Sequence, residues 1–180
     1  MVAIKRTVAA VIVVIVLIAA SVGAYALVQS PTGTMSTGTV SIYIKDDPIA
    51  WKHVNVTFSE VQVHQASATN DSGWQTLSIK NGKIDLVTLT NVSELLASSA
   101  ISTGKYTQIR IVVSSATGMM LNGTNVTFTI PSGELKTTHP FNLTAGGMEK
   151  LTLEIDLQRS IVQNASGWIF KPVLGAVVEG

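Results

Sequence analysis

The stretch Val54-Asn55-Val56-Thr57-Phe58-Ser59-Glu60-Val61-Gln62-Val63 decides the fold. Up to Phe58 every second residue is apolar, which is the period of a β-strand that turns one face to a core. The apolar positions resume at Val61 in the opposite parity, so one extra residue is needed to return them to the same side. We therefore predict one long strand with a β-bulge at Ser59-Glu60.

The same alternation recurs along the chain, and turn residues separate its segments. Asn-Gly pairs are the strongest short hairpin signal, so Lys80-Asn81-Gly82 predicts a hairpin between residues 74–79 and 83–89, and Asn122-Gly123 predicts another turn. The remaining predicted strands cover residues 40–45, 106–114, 125–130, 149–157 and 168–178. About eight short strands separated by turns indicate a mainly β domain, an antiparallel β-sandwich.

One short helix is predicted at residues 91–99. Asn91 is the candidate N-cap, and Glu94 follows three residues later, as in a capping box. Leu95 and Leu96 would then face the sheet. The expected fold class is thus mainly β, an antiparallel β-sandwich with one short helix, preceded by an N-terminal transmembrane or signal helix.

The N-terminal segment predicts the compartment. Lys5 and Arg6 precede an apolar run from Val8 to Val28, and about 20 apolar residues suffice for a helix to cross a bilayer. We favour a retained anchor in the cell membrane, and the alternative is a signal peptide cleaved after Ala26, which gives a secreted protein. In both cases the basic residues keep the N-terminus in the cytoplasm and the C-terminal part lies outside. We expect a leader helix at residues 1–28, a polar stalk at 29–37 and an extracytoplasmic domain at 38–180.

The composition excludes several classes of protein. The 180 residues carry a formal net charge of +1, with 46% hydrophobic and 13% charged residues, which fits neither a nucleic-acid-binding protein nor a disordered chain. The chain has no cysteine, which excludes disulfides, thiolate metal sites and a lipid on an N-terminal cysteine.

N-glycosylation sequons are the strongest local signal. Seven of the eight asparagines begin an Asn-x-Ser/Thr triplet, and Asn81 is the exception. The sequon has meaning only in an exported protein, so its frequency supports export, although Asn and Thr also suit turns and strand faces. The predicted glycosylation sites are Asn55, Asn70, Asn91, Asn122, Asn125, Asn142 and Asn164.

Arg110 is the other residue that the sequence singles out. It lies in the β-branched run at residues 109–113, where a partly buried guanidinium needs an anionic partner. Asp85 and Asp156, each inside an Ile-Asp-Leu triplet, are the candidates for a structural ion pair. The alternative is that Arg110 occupies the solvent face of its strand.

No catalytic or metal site is predicted, and no cofactor is expected. His53 and His64 would stand roughly 30 Å apart on an extended strand, which does not favour a shared metal. Asp46-Asp47-Pro48 and Asn70-Asp71-Ser72-Gly73 are interpreted as turns rather than Ca²⁺ sites. No Ser/His/Asp arrangement has the nucleophile-elbow signature.

The three tryptophans, Trp51, Trp74 and Trp168, each border an apolar alternating run. We interpret them as aromatic residues of the core or its rim, and the alternative is a sugar-stacking platform.

Two segments, Gly104-Lys105-Tyr106-Thr107-Gln108-Ile109-Arg110 and Pro131-Ser132-Gly133-Glu134-Leu135-Lys136, carry a family resemblance. The chain resembles an uncharacterised family of archaeal and bacterial exported proteins that is known only as a domain of unknown function. The resemblance covers nearly all of the predicted domain and implies an extracytoplasmic β-sandwich with no assigned reaction. It also includes residues 44–48, 54–58, 61–64, 85–86 and 172–173, with Trp74 and Asp156.

These observations predict a non-enzymatic cell-surface domain in adhesion, envelope structure or assembly. The expected partners are the membrane, through the N-terminal helix, and further copies, surface proteins or glycans, but no nucleic acid. One alternative is a pilin-like filament subunit, although Lys5-Arg6-Thr7 departs from the basic residue followed by Gly or Ala that is usual at the processing site. Another is a carbohydrate- or solute-binding module that uses the tryptophans. An enzyme comes last, because no acid, base and nucleophile converge.

Overall fold

Most of the structure is β-strand joined by short turns. The computed structural model describes residues 36–46 and 50–180, so the predicted leader, residues 29–35 of the predicted stalk and Asp47-Pro48 lie outside the described residues. The strands are β1 (Thr37–Asp46), β2 (Trp51–Gln65), β3 (Trp74–Thr76), β4 (Lys83–Asp85), β5 (Glu94–Ser102), β6 (Gly104–Met120), β7 (Asn125–Thr127), β8 (Glu134–Leu143), β9 (Met148–Ile155), β10 (Ile161–Asn164), β11 (Gly167–Phe170) and β12 (Leu174–Glu179).

The strands form two main sheets. The four-stranded sheet has the order β12-β9-β1-β5, and the six-stranded sheet has the order β3-β2-β6-β7, with β4 also on β2 and β8 also on β6. A separate β10–β11 hairpin joins the chain after β7 through a bridge between Thr129 and Ile169. The strand pairs are antiparallel except β1 and β9, which run parallel. The predicted mainly β class and antiparallel sheets are confirmed, apart from this parallel pair.

Alternate residues of the two sheets belong to one hydrophobic core. In β1, Val40, Ile42 and Ile44 are fully buried, whereas the residues between them are only half-buried. Burial of an aliphatic side chain of this size contributes about 1.5–3 kcal/mol to stability. The period-two pattern in the sequence is therefore the pattern of the core.

The β-bulge predicted in β2 is confirmed. The apolar residues before it, from Val54 to Phe58, and those after it, Val61 and Val63, are all buried. The register with β6 shifts between Phe58 and Glu60, so one extra residue returns the apolar side of the strand to the core.

The hairpin predicted around Asn81-Gly82 is wrong, because β3 and β4 do not pair with each other. Both pair antiparallel with β2, and the residues between them cross to the other sheet. There the N–H of Lys80 donates to the carbonyl of Leu96 over 2.8 Å, and Ile79 forms a bridge with Ala97. The Asn-Gly signal concerns only the residues of the turn. The partner of each strand depends instead on which of its faces must be buried in the core.

The helix predicted at residues 91–99 is also wrong, because that segment is a turn followed by β5. Asn91 has a φ of 63°, which belongs to a turn and not to an N-cap. Pairing with β1 overrides the weak helix signals of the segment. The α-helix of the described residues is α1 (Leu157–Ser160), where Oδ1 of Asp156 accepts the N–H of Arg159 over 2.9 Å. In the part of the chain that the structure describes, no helix has the length and apolar character to cross a membrane.

Alanine substitutions at two neighbouring leucines test the assignment of β5. Leu96 is fully buried, whereas Leu95 is half-buried and lies opposite the outward-facing Tyr43. Leu96→Ala is expected to lower the free energy of unfolding by about 2–5 kcal/mol, because it leaves a cavity, and the control Leu95→Ala should cost clearly less. Urea unfolding at unchanged m-value measures both. Equal losses of unfolding free energy at Leu95 and Leu96 would contradict the strand, in which the two side chains point to opposite faces. They would instead fit the predicted helix, in which both leucines face the sheet.

Candidate functional site

The sequon asparagines are distributed unevenly over the two sheets. The six-stranded sheet contains three of them, Asn55 in β2, Asn125 in β7 and Asn142 in β8. Asn55 and Asn142 face away from the core between buried neighbours, and Asn125 is exposed at the start of its strand. The four strands of the four-stranded sheet contain no asparagine. Five of the predicted sites are exposed, namely Asn91, Asn122, Asn125, Asn142 and Asn164. Glycosylation itself stays a prediction.

Two of the sequons lie at hairpin turns and share one side-chain geometry. Oδ1 of Asn122 accepts the backbone N–H of Thr124 over 3.0 Å, and Oδ1 of Asn164 accepts the backbone N–H of Ser166 over 2.9 Å. In each case the donor belongs to the hydroxyl residue of the same sequon. The turn predicted at Asn122-Gly123 is confirmed, because Gly123 has a φ of 86° and its N–H donates to the carbonyl of Met120 over 2.9 Å.

Arg110 is half-buried on the outer face of the six-stranded sheet and has an uncharged acceptor. Its Nε donates to Oε1 of Gln62 over 2.7 Å, and its Nη2 contacts the same oxygen. The guanidinium carbon lies 4.2 Å from the ring centre of Trp74, and Nη1 is 4.0 Å from Oε2 of Glu134. The strand register explains these partners, because Arg110 on β6 lies opposite Gln62 on β2 and opposite Lys136 on β8.

The two carboxylates predicted to pair with Arg110 have other partners. Asp156 caps α1, and Asp85 on β4 lies opposite Asn55, away from Arg110. Asp85 pairs instead with His53, whose Nδ1 is 2.6 Å from its Oδ2. The prediction of these ion pairs is therefore corrected. An acceptor for Arg110 was expected from its β-branched surroundings, but only the register of the strands identifies it.

The two segments that carry the family resemblance meet beside Trp74. They place Arg110 and Lys136 opposite each other on neighbouring strands, and Nζ of Lys136 lies 5.4 Å from the Trp74 ring centre and 3.5 Å from Oε1 of Glu134. The Pro-Ser-Gly turn in front of β8 is held close to β6, because a Cβ on Gly133 would lie 2.2 Å from the carbonyl oxygen of Val113. The segments thus build a stacked and charge-paired cluster on the outer face of the six-stranded sheet.

The pair of His53 and Asp85 borders a groove that sequence reasoning missed. The groove has a volume of about 310 Å³ and is lined by β2, β6 and β7, with Asn55, Thr117 and Asn125 among its walls. An imidazole oriented by a carboxylate is half of a general-base arrangement. The hydroxyl groups in the described lining of the groove are those of Thr117 and Thr127, whereas the described hydrogen bond of the His53 ring is to Asp85. His53 and Asp85 come together because β4 pairs with β2. The hairpin predicted around Asn81-Gly82 did not include this pairing.

The other histidines lie in separate surroundings. The ring of His64 lies 5.0 Å from that of Trp74, and Nε2 of His139 lies 3.1 Å from Oε1 of Glu179. Among residues 36–46 and 50–180, no three histidine, aspartate or glutamate side chains are close enough to hold a metal ion.

The tryptophans divide into two groups. The rings of Trp51 and Trp168 are 5.1 Å apart at 85°, and Phe128 lies 5.3 Å from Trp51, so these residues form an aromatic cluster that packs against the core. Trp74 lies apart from them, with the Arg110 guanidinium over one face of its ring. The three indoles do not form a common flat platform.

Glu149 on β9 has a carboxyl group whose pKa is raised. Burial raises the pKa of Glu149, the carboxylate of Glu179 raises it further, and His139 lowers it in part. These groups come from β9, β12 and β8, so the two sheets approach each other at this corner.

Comparisons with known proteins give a family but no activity. A family described as Domain of unknown function (DUF4382) matches residues 37–172, which confirms the resemblance carried by the two segments. No curated protein matches. A structure described as the NMR structure of the protein from Eubacterium rectale has 14% sequence identity, with 81% of this chain and 92% of that chain covered, at a TM-score of 0.23.

Substitution of Arg110 tests the stacked cluster. Arg110→Ala removes the donor from Gln62, which is 8% exposed, and the cation from the Trp74 ring, so it should lower the free energy of unfolding by about 1–3 kcal/mol. Arg110→Leu keeps part of the packing on Trp74 and should cost less. Lys105→Ala, at an exposed lysine of the same strand, is the control. Thermal unfolding measures all three, and wild-type stability of Arg110→Ala would contradict this description.

The pKa of Glu149 predicts a pH-dependent gain on substitution. Because its folded-state pKa is raised above the ordinary 4.5, folded protein binds the proton more tightly, and stability is lost as the pH rises through the folded pKa. Glu149→Gln removes this loss, so its Tm should exceed that of the wild type at neutral pH and match it below pH 4.5.

The matched control is Glu154→Gln on the same strand. Its carboxylate lies 2.7 Å from Nζ of Lys45, so this substitution removes an ion pair and should give no gain in Tm. A Tm difference between Glu149→Gln and wild type that stays constant with pH would show that the carboxyl group is not the cause.

Proposed function

The chain belongs to the domain-of-unknown-function family DUF4382, and from this premise we propose that it is a non-enzymatic, membrane-anchored glycoprotein of the cell surface. Its two sheets form an extracytoplasmic β-sandwich that serves adhesion, envelope structure or assembly. The apolar run after Lys5 and Arg6 is the anchor, or the signal peptide of a secreted form if it is cleaved after Ala26.

The uneven distribution of the sequons is the observation that carries the proposal. N-linked glycans are bulky and solubilising, so a face that bears them is kept in contact with solvent. The six-stranded sheet bears Asn55, Asn125 and Asn142, whereas the strands of the four-stranded sheet bear no asparagine. The outer face of the four-stranded sheet is therefore the face left free of glycan and open to contact with neighbouring surface proteins.

The chemistry of the four-stranded face suits such a contact. Lys45 and Glu154 form an ion pair of 2.7 Å across the parallel strands, and Nζ of Lys150 lies 4.8 Å from the ring centre of Tyr43. The face thus offers balanced charges and an aromatic ring in place of a continuous apolar surface. Interfaces between proteins that are also stable apart are about as apolar as the rest of the protein surface, so a mixed face of this kind is compatible with such a contact.

The alternatives have less support. A sugar-binding platform needs open and coplanar rings, but Trp51 and Trp168 are nearly perpendicular and one face of Trp74 is covered by Arg110. The described partner of the His53 ring is Asp85, and no hydroxyl of the groove lining is paired with that ring among the described contacts, so the proposal stays with a non-enzymatic role.

Single cysteines in the cysteine-free chain test the location and the contact face together. Lys150→Cys places a thiol on the outer face of the four-stranded sheet, and the matched control Lys136→Cys places one on the outer face of the six-stranded sheet. Host cells that express each full-length variant are treated with a membrane-impermeant polyethylene glycol maleimide before and after detergent extraction, and the gel shift gives the labelled fraction.

The expected result is labelling of Lys136→Cys on intact cells, with much slower labelling of Lys150→Cys until detergent removes its neighbours. Protection of both thiols until the cells are lysed would contradict a location outside the cell. Equal labelling of both on intact cells would support the location and contradict the contact face.

A further inference from the structure

We propose that Asn122 and Asn164, at two hairpin turns, receive glycans in the folded domain and that Asn55 does not, which leaves Asn125 and Asn142 as the sequons that put glycans on the six-stranded sheet. This inference rests on the proposed function, because it specifies where an exported glycoprotein is modified. Asn55, Asn122 and Asn164 all begin the same kind of sequon, so the sequence does not distinguish them. The structure does, because their backbone geometry and their accessibility to an enzyme differ.

The two turns present the asparagine in the same way. The carboxamide oxygen of each asparagine is bonded to the backbone N–H two residues later, over 3.0 Å at Asn122 and 2.9 Å at Asn164. This Asx turn leaves Nδ2 as the unbonded atom of the carboxamide and keeps the asparagine and the hydroxyl residue in one compact loop. An incoming enzyme then meets both recognition groups without unfolding a strand.

Both turns project into open space. Asn122 and Thr124 are exposed, as are Asn164 and Ser166. A Cβ built on Gly123, inside the first turn, or on Gly167, at the end of the second, would have no neighbouring atom within 4 Å. A transferase therefore has room to approach each turn.

The geometry also fits the chemistry of transfer. The donor is an oligosaccharide linked to a lipid phosphate. Nδ2 of asparagine forms a bond to the anomeric carbon, the anomeric C–O bond breaks, the lipid phosphate leaves with the electron pair, and Nδ2 gives one proton to a base on the transferase. Negative charge develops on Oδ1 as that proton leaves, and the backbone N–H that already donates to Oδ1 stabilises it.

Asn55 has the same triplet in the opposite surroundings. It lies in β2 between β4 and β6, opposite Asp85 on one side and Thr117 on the other, so its strand is bonded along both edges. It is half-buried and forms part of the wall of the groove beside His53. To bring Asn55 and Thr57 into a compact loop, a transferase would have to pull the central strand out of the six-stranded sheet.

Glycopeptide mass spectrometry of the full-length protein from its native host tests the assignment. We expect high occupancy at Asn122 and Asn164 and little at Asn55. Occupancy at Asn55 equal to or above that of the two turns would overturn the inference. Absence of sugar at every site would overturn it too, and the labelling of Lys136→Cys on intact cells then decides separately whether the proposed location stands.

A matched pair of substitutions tests whether the turn directs the modification. Gly123→Val and Ala165→Val both keep an Asn-Val-Ser/Thr triplet. Gly123 has a φ of 86°, which a β-branched residue does not tolerate, whereas Ala165 has no positive φ. Gly123→Val should lower the population of its turn, and with it the occupancy at Asn122, by about fivefold or more, while Ala165→Val leaves Asn164 unchanged.

The Tm of Ala165→Val should match that of the wild type, and Gly123→Val should lower the Tm by only about 2–4 °C, because the strained φ is confined to one exposed turn. Unchanged occupancy at Asn122 in Gly123→Val would overturn the role of the turn. An equal loss in both variants would overturn it as well, because the middle valine and not the backbone would then be the cause.

Discussion

The fold depends on one constraint, which is that β2 must keep its apolar side on the core over 15 residues while it pairs with β3, β4 and β6. The bulge at Ser59-Glu60 satisfies it. At the same place the N–H of Phe58 bonds to the carbonyl of Gly82 over 2.7 Å, and the N–H of Leu77 bonds to the carbonyl of Val61 over 2.8 Å. The residues between Leu77 and Gly82 leave β2 there and bond to β5. One irregularity therefore restores the parity of the strand and also links the two sheets through the backbone.

What could be predicted from the sequence is what adjacent residues determine. The alternation of apolar and polar residues identified the side of β2 that faces the core and the position of its bulge. Asn122-Gly123 identified the turn between β6 and β7, which do pair with each other. The errors at Asn81-Gly82 and at residues 91–99 share one cause, which is that each local signal competed with a partner strand that is distant in the sequence. β8 was missed for another reason, because an edge strand that buries only Leu135, Phe141 and Leu143 shows little alternation.

The candidate site follows the same division. The sequons could be found one triplet at a time, but the topology decides which of them lie in strands of the six-stranded sheet and which lie at turns, and it leaves the strands of the four-stranded sheet without any. Outward positions of both sheets are half-exposed to a similar degree, so folding does not require asparagine on one sheet and exclude it from the other. Asparagine is a poor strand former, so its presence in β2, β7 and β8 does not stabilise the fold. The register that sets Arg110 beside Gln62 and His53 beside Asp85 is equally a property of the sheets.

The position of β1 has a mechanical consequence. It is the first strand after Ser36 and lies in the interior of its sheet, between β5 on one side and the parallel β9 on the other. Under the proposed N-terminal anchoring, a pull along β1 would load both rows of its backbone hydrogen bonds in shear. An edge strand pulled in the same direction would load a single row of backbone hydrogen bonds. Because β1 is paired on both sides, an anchor at its N-terminal end, as proposed, would place traction on two rows of bonds.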